Sequence, residues 1–179
     1  MKIELKNVKI NLTFSEETTM FMADLVVNGV VVGEANNDGR GGCTFYSVKT
    51  YDSKKRTFLS DSEQERNRQL LKQAEEYCLS LPKVRVEEYD FEYDMNLVHF
   101  IDDLINKELE KKEQKKLEKK MINSIMWGKP KGYSYSQVKF KVPLAEVTNL
   151  QTYVDKYKKE FKEGEVFLNT NLESLGIKL

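Results

Sequence analysis

A chain of 179 residues, 40% hydrophobic and 32% charged, is long enough to bury a real core and is expected to fold as one domain, 1–179. Two cysteines exclude a disulfide framework, and no apolar run approaches the roughly 18 residues that a membrane span needs. The formal net charge of zero argues against a general affinity for polyanions.

That zero hides a segregation. Residues 61–106 carry five Lys/Arg against twelve Asp/Glu, and residues 107–141 carry eleven against four. The adjoining blocks either neutralise each other or leave a basic patch for an anionic partner. The opening "MKIELKNVKINL" alternates apolar and polar residues without the apolar core of a signal peptide, so a cytoplasmic location is expected.

Alternation in "KIELKNVKINLTF" slips by one residue near Lys6-Asn7, which predicts a strand with a bulge. "TTMFMADLVVNGVVVGEA" is two β-rich runs around Asn28-Gly29, the pair that a type I′ hairpin turn requires. "CTFYSVKTYDS" adds a further strand. Residues 1–58 are thus predicted to form a four-stranded antiparallel meander.

"NNDGRGGC", Asn36 to Cys43, lies inside that meander. A phosphate-cradling loop runs from a strand into a helix, and here a β-rich segment follows instead. Gly39, Gly41 and Gly42 also miss the spacing of both common phosphate-binding motifs. The expectation is a turn at Asp38-Gly39 with Arg40 at an exposed tip, and Asn37, Asp38, Arg40 and Cys43 as candidate contact residues. A nucleophilic Cys43 would need a base, and the chain has one histidine, His99, among Leu97, Val98, Phe100 and Ile101. One histidine and two cysteines at unsuitable spacing imply no metal site, and no cofactor is implied.

Residues 60–120 read as a helical part. Ser60 and Glu63 have capping-box spacing, Leu70, Ala74, Tyr77, Cys78 and Leu81 form an apolar stripe, and Pro82 stops the helix. "VRVEEYDFEYDMN" is an acidic, aromatic, extended connector in which Tyr89, Phe91 and Tyr93 form either a strand edge or a surface that meets a basic partner. A second helix, rich in lysine and glutamate, opens with Leu97, Ile101, Leu104 and Ile105 on one face. Between Leu109 and Leu117 it has no apolar residue, so that stretch faces water or a charged partner. Lys111, Lys112, Lys115, Lys116, Lys119 and Lys120 recur in pairs every four residues and line one side. Residues 121–179 predict a second hairpin, "MINSIMW" and "YSYSQVKFKV" around "GKPKG", then a helix through Leu150, Tyr153, Val154 and Tyr157, a short strand and a last helical turn. The fold class is α+β, without internal repeats.

The strings "FMADLVVNGVVVGEANNDGRGGC" and "LEKKEQKKLEKKMINSIMWGKPKGYSYSQVKFK" through "VFLNTNL" resemble a family of small proteins of bacteriophage and other mobile elements. That family shares a hairpin, an N-D-G-x-G-G-C motif, and a basic helix before a strand hairpin. It often has a histidine soon after the cysteine, where this chain has Tyr46-Ser47. The resemblance implies a phage-encoded protein of the host cytoplasm and no particular activity.

Two functions are weighed. The first is a non-enzymatic accessory protein that binds a host protein, such as a host enzyme or antiviral defence effector, through exposed devices. The second is nucleic-acid binding by the lysine row, without a recognised motif to support it. Catalysis by Cys43 ranks third.

Overall fold

Period-two alternation builds an antiparallel meander from β1 (Ile3–Ile10), β2 (Phe21–Val27), β3 (Val30–Asn37) and β4 (Phe45–Val48), hydrogen-bonded in that order. The computed structural model describes residues 1–86, 90–130, 132 and 134–179. Asn28 and Gly29 take φ of 48° and 83°, the double positive φ of the predicted turn. The register of β1 against β2 shifts between Lys6 and Lys9, with Asn7 at φ 52°, so the slipped alternation was a bulge.

The chain falls into two compact units, Met1–Glu108 and Leu109–Leu179. In the first, α1 (Asp61–Leu79) packs on β2, β3 and β4. The capping box forms as predicted: Ser60 accepts from the Glu63 N–H while the Glu63 carboxylate accepts from the Ser60 N–H. Asn67, Leu71, Ala74 and Cys78 are the buried positions of α1, and the predicted Leu70 and Tyr77 only flank them. The sheet contributes Phe21, Ala23, Leu25 and Ala35 to this core, none more than 4% exposed. Leu97, Ile101 and Ile105, from the start of α2 (Leu97–Met121), are also buried.

Two hairpins were not predicted as such. The strand expected over "CTFYSVKTYDS" ends at Val48, because the Lys49 carbonyl accepts from the Asn67 side chain of α1 instead of a ladder partner. The chain then makes its own ribbon, β5 (Tyr51–Asp52) against β6 (Thr57–Phe58). The acidic connector is likewise a hairpin, β7 (Val84–Val86) against β8 (Phe91–Tyr93), with an Arg85–Asp90 ion pair at 2.7 Å; Tyr89 lies outside the described residues.

In the second unit β9 (Ser124–Gly128) is buried along its whole length between β10 (Tyr135–Lys139) and β11 (Val166–Phe167). That position explains its continuous apolar run. The core joins Ile125 and Trp127 to Leu144, to Leu150 and Val154 of α3 (Leu150–Lys158), and to Leu172. The Trp127 ring stacks on Tyr157 at 5.2 Å. Buried Asn169 fastens the sheet, accepting from the Met126 N–H and donating to the Ser124 carbonyl. No helix among the described residues is long and apolar enough to cross a membrane.

Candidate functional site

The glycine-rich loop joins β3 to β4, so it leads into a strand and offers no helix N-terminus to an anion. Its centre is Asn37, which is 6% exposed. The Asn37 Oδ1 accepts from the Thr18 hydroxyl and the Gly39 N–H, both at 2.8 Å, and Nδ2 donates to the Gly42 carbonyl at 2.9 Å. One amide thus ties both ends of its own loop to the segment before β2. The Gly39 carbonyl repeats the tie by accepting from the N–H groups of Glu16, Glu17 and Thr18. Gly39 holds φ 83°, and a Cβ there would lie 2.8 Å from the Phe14 carbonyl oxygen.

Of the predicted contact residues, Asn37 is therefore a buried structural hub, while Asp38, Arg40 and Cys43 are exposed. Asn37 and Cys43 border a cleft of about 300 Å³, together with Glu17, Phe21, Thr44 and Asp102. The Thr44 hydroxyl donates to Asp102, across 58 residues of chain. Asp38 and Arg40 do not line the cleft. Neither does His99, whose ring meets Tyr93 edge-on at 4.7 Å and whose buried Nδ1 has no hydrogen-bond partner among the described residues. The described residues of the cleft wall include no histidine to pair with Cys43. Among the described residues no group of three or more His, Cys, Asp or Glu could hold a metal ion.

The second thiol belongs to the core. Cys78 is fully buried, and burial pushes its thiol up to about 11. Beside it the Tyr46 hydroxyl donates to Glu75, and its titration moves up to about 12, through burial first and that hydrogen bond second.

The six lysines Lys111, Lys112, Lys115, Lys116, Lys119 and Lys120 are all exposed on α2. Lys120 donates to the Tyr135 hydroxyl at 2.6 Å and lies over that ring, so the end of the row is tied to its own hairpin.

A surface that the sequence reading missed lies on the meander. Directly opposed residues on neighbouring strands share a face. The rows Phe21–Asn37 and Ala23–Ala35–Tyr46 face the core. The alternate rows, Lys9–Met22–Asn36–Phe45 and Lys6–Asp24–Glu34–Ser47, face the other way, and all but half-buried Asp24 are exposed. Met22 is 57% exposed and Phe45 66%. A groove of about 850 Å³ runs over this face, walled by Lys9, Met22, Val31, Lys49 and Tyr51 with Glu34 beneath. The signal was in the sequence: Met22 alternates with Asp24 and Phe45 with Ser47, so each shares its phase with a polar neighbour. Their pairing through Asn36 needed the register.

Compared with protein-family models, curated proteins and solved structures, the chain finds no match.

Proposed function

We propose that this is an accessory protein, of phage or mobile-element origin, that acts in the host cytoplasm by binding a host protein. The observation that supports the reading is the uncovered sheet face with Met22 and Phe45 in one cross-strand row. Burying a methionine or phenylalanine side chain is worth roughly 1.5–3 kcal/mol, and here the fold leaves both in water. Methionine and aromatic residues are the types enriched where proteins meet, and charged residues such as Lys9 and Glu34 suit the rim. A host enzyme or defence effector would be occluded by this face, and no step of catalysis is required of the protein itself. The resemblance of its N-D-G-x-G-G-C segment to phage proteins supports the genomic setting.

Affinity capture from host lysate tests the reading, with wild type compared to Met22→Glu/Phe45→Glu. Both side chains are exposed, so the variant should melt within about 1 kcal/mol of wild type. A host protein retained by wild type and lost from the variant is expected. Identical captured sets would reject the face as the binding surface.

The alternative is nucleic-acid binding by the lysine row of α2, favoured by the exposure of all six lysines. The engagement of Lys120 with Tyr135 and the interspersed Glu110, Glu113 and Glu118 weigh against it.

A further inference from the structure

The β5–β6 ribbon is the feature that the preceding reading leaves without a role. An isolated two-stranded hairpin is marginal in water, and such ribbons usually persist by covering a core. This one covers little: of residues 51–58 only Asp52 is less than exposed. Its turn is fixed locally, with the Asp52 carboxylate accepting from the N–H groups of Lys54 (2.9 Å) and Lys55 (3.2 Å), and Arg56 at φ 52°. At its base the Leu59 N–H donates to the Thr50 carbonyl at 2.9 Å.

The fixed ribbon displays two chemistries in a set order. At the base, Tyr51 and Phe58 meet edge-on, with centroids 5.4 Å apart at 72°, and stay 41% and 74% exposed. At the tip stand three consecutive cations, Lys54, Lys55 and Arg56. Lys55 lies 3.9 Å from Asp52, while Lys54 borders the groove together with Lys49. Residues 49–58 hold four basic side chains against one acid, in a chain whose total charge is zero.

We propose that this ribbon binds single-stranded nucleic acid, with a base stacked on the open face of Phe58 and neighbouring phosphates on Lys54 and Arg56. An open aromatic face beside a row of cations matches a ligand that alternates flat rings with negative charge. Duplexes keep their bases stacked inside and cannot offer a ring to Phe58, whereas a single strand can. A membrane surface fits less well, because insertion would carry the charged tip in ahead of the rings. An acidic protein would satisfy the cations but leave the rings unexplained. This inference rests on Phe58, Lys54 and Arg56 rather than on Met22 and Phe45, and it stands if the sheet-face reading fails.

Fluorescence anisotropy of the full chain with a labelled oligothymidylate, at near-physiological salt, tests it. Binding tighter than about 10 µM is expected, within or beyond the usual range for non-specific sites. Phe58→Ala should weaken it at least about 5-fold, the lower end of what one stacked base contributes, and Phe58→Trp should restore it. Lys54→Glu/Arg56→Glu should weaken it and flatten its salt dependence. A blunt duplex should bind more weakly, and vesicles containing phosphatidylserine should not compete.

Absence of binding overturns the proposal. So does equal binding of duplex, or loss on the charge changes with no response to Phe58→Ala, since either result marks generic electrostatics. Competition by the vesicles would reassign the ribbon to membranes. Phe58 lies outside the core, so an unchanged melting temperature accompanies each variant and separates loss of the ligand from loss of the fold.

Discussion

Asn37 carries more of the glycine-rich loop than any glycine does. Its amide accepts from Thr18 and Gly39 and donates to Gly42, all at a buried position. Asn37→Ala removes those three hydrogen bonds and is expected to cost about 1–3 kcal/mol, read by urea denaturation. The glycines divide sharply. Gly39→Ala combines a positive φ with a Cβ 2.8 Å from a backbone oxygen and 2.9 Å from Met20 Cβ, so it should destabilise. Gly42→Ala meets nothing within 4 Å and has no positive φ, so its stability should match wild type. If the two variants melted together, the loop would not be held as described. The thiols divide in the same way: a disulfide reagent should titrate exposed Cys43 in the native protein, and Cys78 only after unfolding.

At the scale of elements, the packing of α1 against β4 carries the alkaline pH dependence. Cys78 rises from 9.0 to about 11 and Tyr46 from 10.0 to about 12, so the fold favours the neutral form of each. Their contributions are complete below pH 9 and pH 10 and are lost as pH climbs through 11 and 12. The melting temperature should therefore start to fall above pH 9, and Cys78→Ala should flatten the first part of that limb. An unaltered slope in the variant would place the alkaline sensitivity elsewhere. At the other end of the scale, hydrogen bonds from Ser60 hold the Glu63 carboxyl below its ordinary range. That support is present above the ordinary carboxylate range and disappears as pH falls through the lowered value. Ser60→Ala should remove the hydroxyl's share of it and lower the melting temperature, while the backbone N–H at position 60 still donates to Glu63.

These elements also mark what the sequence could reveal. The capping box, the Asn28-Gly29 turn and the bulge at Asn7 involve residues a few positions apart, and local chemistry suffices to place them. The end of β4 depends on Asn67, 18 residues downstream of the Lys49 carbonyl it holds, and the place of β11 depends on β9. Neither leaves a local trace. For the same reason the loop was legible as a turn, but the cleft beside it was not. Its wall includes Glu17, from the segment before β2, and Asp102, from α2.

On the scale of the whole molecule, the zero net charge means that any anion-binding surface must be local. The lysine row of α2 and the β5–β6 ribbon are both candidates among the described residues, and the salt dependence of binding separates them. Six lysines on duplex phosphates would give a log K against log salt slope near −5. The two phosphate-binding cations of the ribbon, Lys54 and Arg56, on a single strand would give about −1.4. We expect the shallower slope, because four glutamates between Lys107 and Lys120 dilute the row and Lys120 is occupied by Tyr135. Changing Lys112, Lys115 and Lys116 to Glu should then leave oligothymidylate affinity within about 2-fold, since the ribbon proposal places no phosphate on those residues. A slope near −5 that collapses in this triple variant would move nucleic-acid binding to α2. The lysine row would then be the functional surface, and the protein-binding reading would lose its place to the alternative.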